Sequence, residues 1–413
     1  MPRTFGSRSK ANRPKSGMRS SSNTLISRVS VNAELRANFN QRTDTTVTFF
    51  HSGKSLFWYA NSYAALKEPV VRVLFASAPL CHDVNQVTSS QDAIDLLIGF
   101  ETGDILWIDA VGLRYNRINK GGAVTRSAVR QVRWLPGSET QFITAHQDGS
   151  ILLWDRDAED GQFSLPAADA PHMPVHRSED KTRNPQSVWR VSSQPITEVA
   201  FAPDGQQLAI VCEDGLLRLV DMATESLTCS FKSYFGSLTC VCWSVDGRIL
   251  ATGGQDDLVT LWSPHERRII ARAQGHSSFV SGIVADPWRS SGDTYRFVSI
   301  GQDANVCIWD FSPALLTRPA RNARTRMSNT EHVFSPSNGV YDAPGRALVP
   351  VLQPIAIGLT GSNRLCDVRV SETGFLFLHR DSQLDLYSRP SAQAEPAPQM
   401  SRSFSIRAST LFS

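Results

Sequence analysis

Residues 250–263 read LATGGQDDLVTLWS, and residues 297–310 read FVSIGQDANVCIWD. Both run from a short apolar strand through a Gly-Gln-Asp turn into a second strand that ends on tryptophan and a small polar residue. Residues 142–155, FITAHQDGSILLWD, share the frame. Asp148, Asp256 and Asp303 stand six residues before Trp154, Trp262 and Trp309, and a hydroxyl (Thr144, Thr252, Ser299) stands four before each aspartate. Asp214 before Val220 and Asp381 before Tyr387 keep the six-residue interval, while Ile108 and Tyr59 supply two further strand ends.

The seven ends lie 49, 46, 66, 42, 47 and 78 residues apart. A period in the forties with short strands is the signature of WD repeats, so the spacing predicts an all-β, seven-bladed WD-repeat β-propeller, with six blades the alternative count. The two long intervals contain Pro-, Ser-, Ala- and Arg-rich segments near 157–187 and 312–349, read as inserted loops. The domain reading is a basic, largely disordered tail over 1–44, a propeller over 45–390 and a disordered Ser-rich tail over 391–413. Within the first tail, part of 24–33 is expected to close the ring against the last blade, removing an exposed edge. The fourth strand of the blade after Trp309 is expected to resume near 348–357.

The spacing also predicts a polar network. An aspartate in the turn can accept from the strand hydroxyl and from a histidine in the loop before the blade, and through them reach the Trp indole N–H. His276 is placed for this with Ser299, Asp303 and Trp309, whereas Thr252, Asp256 and Trp262, and Thr144, Asp148 and Trp154, form sets without a loop histidine. A buried carboxylate is costly unless fully bonded, so these residues are read as scaffold.

Bulk properties narrow the function classes. The chain has 413 residues, net charge +3, 41% hydrophobic and 20% charged residues, and no apolar run long enough to cross a membrane as a helix. Residues 1–30 carry seven Arg or Lys and no acid, but no apolar segment of a secretory signal follows. Pro2, Gly6, Pro14 and Gly17 oppose the amphipathic helix of a mitochondrial presequence. Seven scattered cysteines fit a reducing compartment, so a cytoplasmic location, with the nucleus as a second, is expected. Cys240 and Cys242 share a strand face without further ligands and are read as buried thiols.

Catalytic motifs fail on geometry. HSGKS (51–55) lacks the glycine that a phosphate-binding loop needs at Thr48 and precedes a strand. Cys81 and His82 are adjacent in a strand and face opposite sides. His172 and His176 have a metal spacing only on a helix, which Pro171 and Pro174 disfavour. No enzyme, cofactor or metal site is expected.

A resemblance adds to this reading. CHDVNQ, LLIGFETGDILWID, WLPGSETQFITAHQDGS, FAPDGQQLAIVCEDGLLRLVD, SYFGSLTCVCWSVDGRILATGGQDDLVTLWS and YRFVSIGQDANVCIWD occur in order between Cys81 and Asp310. Together they resemble the family of fungal CreC and the animal dystrophia-myotonica-type WD-repeat proteins. LYSRP (386–390) fits that family's final blade, with Tyr387 for Trp, and Phe279 stands where animal relatives tend to carry Trp. The resemblance implies a non-catalytic partner that binds and activates a ubiquitin-specific protease, a deubiquitinase, often beside a second WD-repeat protein.

The loop entering a blade and the turn between its second and third strands share one face. Tyr234 and Phe235 enter one blade and Phe279 the next, with Gln255, Asp257 and Gln302 in the adjoining turns. Phe235 and Phe279 are expected at equivalent positions of neighbouring blades. The resemblance places the protease-contacting aromatics there, and aromatics in a polar rim suit an interface hot spot. The rival reading is a nucleic-acid-associated or trafficking scaffold that uses the basic N-terminal arm.

Overall fold

Seven antiparallel sheets of at least four strands follow one another along the chain in a computed structural model, which describes residues 13–19, 24–41, 47–60, 68–161, 163, 173–314, 339–360, 364–381, 383–389 and 401–407. From the innermost strand outward, blade 1 comprises Val47–Ser52, Ser55–Ala60, Val71–Phe75 and Ile26–Val31. Blade 2 comprises Pro79–Val84, Asp95–Phe100, Ile105–Asp109 and Arg114–Ile118. Blade 3 comprises Val129–Trp134, Gln141–His146, Ser150–Asp155 and Ser187–Arg190. Blade 4 comprises Ile196–Phe201, Gln207–Cys212, Leu216–Asp221 and Ser226–Lys232. Blade 5 comprises Leu238–Trp243, Leu250–Gly254, Leu258–Ser263 and Arg268–Gln274. Blade 6 comprises Val280–Ala285, Tyr295–Gly301, Asn305–Phe311 and Ala356–Leu359. Blade 7 comprises Leu365–Val370, Gly374–His379, Gln383–Ser388 and Ser401–Arg407.

The middle strands are near-continuous apolar runs because each is covered on both faces by the neighbouring blades. Leu208–Cys212 and Leu250–Gly254, for example, are buried throughout. The inner strands of blades 2 to 7 each open with a bulge, which leaves one extra residue unpaired in the ladder. In blades 4, 5 and 6 that residue is Thr197, Thr239 or Ser281. Its hydroxyl donates to the carbonyl of Leu238, Val280 or Leu365 on the following inner strand. The same local irregularity thus fixes blade spacing three times. Gly253 belongs to this seam, since a Cβ there would lie 2.5 Å from Cγ1 of Val280.

Four expectations are corrected. Ile26–Val31 pairs with Val71–Phe75 and is the outer strand of blade 1, not a strap on the last blade. The first blade lacks a fourth strand of its own, and this strand supplies it. The ring closes instead by side-chain packing, with Phe50, Phe57 and Tyr59 of blade 1 buried against Leu376 and Leu384 of blade 7. The tail before Asp44 also holds a helix, Ala33–Gln41, whose Phe39 meets Trp58 edge-on at 5.3 Å. Beyond residue 390, Ser401–Arg407 pairs with Gln383–Ser388 and completes blade 7, because the N-terminal strand is engaged elsewhere.

The second insertion returns by a longer route than expected. Val340–Tyr341 pairs in parallel with the outer strand of blade 4, and Val351–Leu352 with that of blade 5. Only then does Ala356–Leu359 complete blade 6. Residues 315–338 and 391–400, within the expected insertion and tail, lie outside the described residues.

Candidate partner-binding face

On the face formed by entry loops and second-to-third turns, each loop is tied to its own blade's turn. Gln255 N donates to Ser237 O at 3.0 Å, and Gln302 N donates to Phe279 O at 2.8 Å. Phe235 is 70% exposed and Phe279 39% exposed on this face of blades 5 and 6. Gly236 has φ +65°, a left-handed conformation that glycine adopts without strain, and it turns the chain directly after Phe235. The Gln255 side chain accepts from Ser237 N at 3.2 Å, so Gln255 positions the loop as much as it faces solvent.

The two aromatics are not equivalent by register. Leu238 pairs with Gly254 and Val280 with Gly301, so Ser237 matches Phe279 and Phe235 matches Ser277. They share a face but are offset by two residues, and the notional equivalence is corrected accordingly. The same count puts Tyr234 in the slot that His276 fills in blade 6. Tyr234 is half-buried rather than displayed, and packs against the core between blades 4 and 5. Arg346 of the second insertion lies over its ring at 5.5 Å, and its hydroxyl is buried without a hydrogen-bond partner. Asp257, with φ +61°, also has a buried, unpartnered carboxylate oxygen.

In blade 6 the network runs through the histidine. His276 Nε2 lies 2.7 Å from Ser299 Oγ, and its Nδ1 lies 3.2 Å from both Asp303 oxygens. Trp309 Nε1 donates to Ser299 Oγ at 2.8 Å. Burial alone would raise Asp303, but the Ser277 and Asn305 N–H groups and His276 hold its carboxyl below the ordinary value. Burial pushes His276 down, toward the neutral imidazole.

Blades 3 and 5 depart from the prediction. Their indoles do donate to the strand hydroxyl, Trp154 to Thr144 at 2.7 Å and Trp262 to Thr252 at 2.8 Å. No hydrogen bond joins the aspartate directly to that hydroxyl in any of the three blades; the turn geometry aims it at the loop and the following strand. Asp148 accepts from Ser150 and pairs with Arg190 at 3.2 Å. Asp256 accepts from Leu258 N, and burial raises its carboxyl to about 6.

Three network residues escape sequence reading. His146 lies on the second strand of blade 3, with Nε2 2.8 Å from Thr144 Oγ1 as His276 has with Ser299, but its Nδ1 meets Ser127 O at 3.0 Å rather than the turn aspartate. Its signal was its position two before Asp148 in AHQDG. Ser192 occupies the histidine slot of blade 4 and donates to Asp214 at 2.7 Å. Arg346 could not be found locally, since its contact spans more than a hundred residues.

The rejected catalytic motifs can be placed. HSGKS spans a hairpin turn between Val47–Ser52 and Ser55–Ala60, with Gly53 at φ +54°. Cys81 is buried with Sγ 3.5 Å from Val129 O, and burial pushes its thiol up to about 12. His82 instead meets His51, Nδ1 to Nδ1 at 3.0 Å; burial, then His51, lowers it to about 3. His176 is exposed, while His172 lies outside the described residues. Among the described residues no three His, Cys, Asp or Glu side chains converge on a metal-sized site, and no helix is long and apolar enough to cross a membrane.

Residues 225–263, the outer strand of blade 4 and three strands of blade 5, match the family described as WD domain, G-beta repeat. These are WD repeats. Residues 166–241 match the Anaphase-promoting complex subunit 4 WD40 domain, a second WD40 description of the same architecture. The chain is also similar to the UBP9-binding protein bun62 of Schizosaccharomyces pombe (strain 972 / ATCC 24843), with 33% identity over 351 residues. That match covers 76% of this chain and 65% of the relative's own length.

Proposed function

We propose that this chain binds a ubiquitin-specific cysteine protease through the exposed face of blades 5 and 6 and raises its activity without supplying a catalytic group. The observation that carries the reading is the 33% identity to a protein named for binding UBP9. The separation of Phe235 and Phe279 from the buried core supports the choice of face, since exposed aromatics on a rigid rim suit a hot spot. Gln255, Asp257 and Gln302 supply the polar surround, and Tyr234 supports the Phe235 loop from beneath. The CreC and dystrophia-myotonica-type resemblance supports the same assignment and adds a second WD-repeat protein to the complex, acting in the cytoplasm with the nucleus as a second compartment.

Activation follows as a population shift. Binding would favour a productive arrangement of the protease's own site, which requires tighter binding to that arrangement than to the idle one. Phe235→Ala with Phe279→Ala is expected to weaken protease binding by roughly 2–4 kcal/mol with little change in the melt. Titration calorimetry and a thermal melt measure both. Unchanged binding by a folded double variant refutes the face; an unchanged kcat on a small ubiquitin reporter refutes the activation.

A further inference from the structure

Outer strands of propeller blades present unpaired backbone groups, and this chain covers four of its seven. Ser16–Gly17 lies on blade 2, Val175–Arg177 on blade 3, Val340–Tyr341 on blade 4 and Val351–Leu352 on blade 5. Among the described residues no fifth strand pairs with blades 1, 6 or 7. The outer strands of blades 1 and 7 carry arginines, Arg28 in one and Arg402 and Arg407 in the other. Charges on a bare edge discourage unwanted pairing. Among the described residues blade 6 has neither protection. Its outer strand, Ala356–Leu359, lies in a run from Ala347 to Asn363 with no charged residue. Ile355 is 48% and Ile357 56% exposed there, beside Val351 of the neighbouring blade at 41%.

We propose that this edge is a strand-addition site, where an extended, uncharged segment of the bound protease pairs as the fifth strand of blade 6. The chain's own fifth strands define the segment's chemistry. Those on blades 3, 4 and 5 each begin with valine, and the residue after it packs down in two of them: Tyr341 stacks on Phe231 at 5.4 Å, and Leu352 is buried. A β-branched residue followed by a bulky apolar one, as on blades 4 and 5, is therefore the segment chemistry proposed for the blade 6 edge. The edge also adjoins the aromatic face. Pro354, just before it, sits where a Cβ on Gly275 would come within 3.1 Å, one residue from His276. One partner can span both surfaces. The inference rests on the protease reading, but its test is separate.

Backbone alternation supplies that test. Thr360 N donates to Ala304 O, and alternation from that pair turns the Gly358 and Ala356 N–H groups inward and that of Ile357 outward; the Ile355 N–H, which donates to Ile308 O, lies before the first ladder pair, Ile308 with Ala356. Ile357→Pro removes an outward donor and no ladder bond, a substitution an edge strand accepts. The expected result is at least tenfold weaker binding of the ubiquitin-specific protease with an unchanged melt, and slower amide exchange at Ile357 in the wild-type complex. If the proline variant melts early, Ile357→Lys, at an already exposed side chain, carries the affinity measurement. Wild-type affinity in a folded variant, an Ile357 amide that exchanges equally fast in the complex, or one already protected in the isolated chain overturns the inference. Binding that depends on Phe235 but not on Ile357 leaves the protease reading standing; no binding by the wild type removes both.

Discussion

Blades 5 and 6 are built on one register and solve one problem differently. Each places an aspartate in the turn, a hydroxyl on the second strand and a tryptophan on the third. Blade 6 adds His276, which joins Ser299 to Asp303 and leaves both satisfied. Blade 5 puts Tyr234 in that slot, so Asp256 keeps only backbone donors and its carboxyl rises to about 6 while that of Asp303 falls. A loop that contributes no ligand to the network is freer to present its neighbours, and Phe235 beside Tyr234 is the most exposed large apolar residue described. Blade 6 anchors its loop through the histidine and displays Phe279 less. The difference separates a residue that holds a blade together from one left exposed on the face.

The comparison breaks most visibly at His276. His276→Leu removes one partner from Asp303, which keeps its Ser277 and Asn305 donors, and one from Ser299, and is expected to cost about 1–3 kcal/mol. Urea unfolding measures it. The matching change in blade 5, Tyr234→Phe, removes a hydroxyl that has no partner and is expected to stay within about 0.5 kcal/mol of the parent. Equal costs in the two blades would show that the slot is filled by packing alone.

Much of this was legible because the blade carries a local ruler. The six-residue step from aspartate to the third-strand end measures a turn and a third strand, and it recurs in five of the seven blades, three of them with tryptophan. Register was less legible. Counting back four residues from Leu238 and Val280 pairs Tyr234 with His276, but the aromatic character of Phe235 and Phe279 invites a different alignment. What the sequence could not show were contacts between distant segments. The pairing of Ser230 with Val340 and the stacking of Arg346 on Tyr234 leave no periodic trace, because two-residue parallel strands are too short to carry one. The placing of Ile26–Val31 failed similarly: an apolar strand near the terminus fits the edge of either blade 1 or blade 7, and only packing decides.

Acidity sharpens the comparison further. Asp256 is raised in the fold to about 6, from an unfolded value of about 4. Between those values the folded chain holds a proton that the unfolded chain has released. This residue's contribution to stability is therefore full below about pH 4 and is lost as pH rises through about 6. Because the group is partly open to solvent, the loss is about 1–2 kcal/mol. Asp256→Asn is expected to flatten that part of the stability profile, relative to the parent, from pH 4 to 6. The histidines work in the opposite sense, since His82 is held down and favours folding as pH rises through the unfolded value of about 6.5, so the variant difference rather than the raw profile is the test. An identical slope in parent and variant would remove Asp256 from the account.

The most direct transplant carries a small effect. Tyr234→His puts blade 6 chemistry into blade 5, where Thr252 and Asp256 already stand at the positions of Ser299 and Asp303. A histidine reaching both would give Asp256 a side-chain partner and Thr252 a second hydrogen bond, against the loss of the ring that Arg346 covers. The balance is expected to favour the variant by about 1 kcal/mol at neutral pH, near the net worth of one hydrogen bond. The accompanying sign is a lower Asp256 pKa, seen as loss of the pH 4 to 6 slope in the variant. An early melt with the slope retained would mean that the tyrosine ring fills a gap between blades 4 and 5 that imidazole cannot. The histidine slot would then be a property of blade 6 packing and not of the repeat.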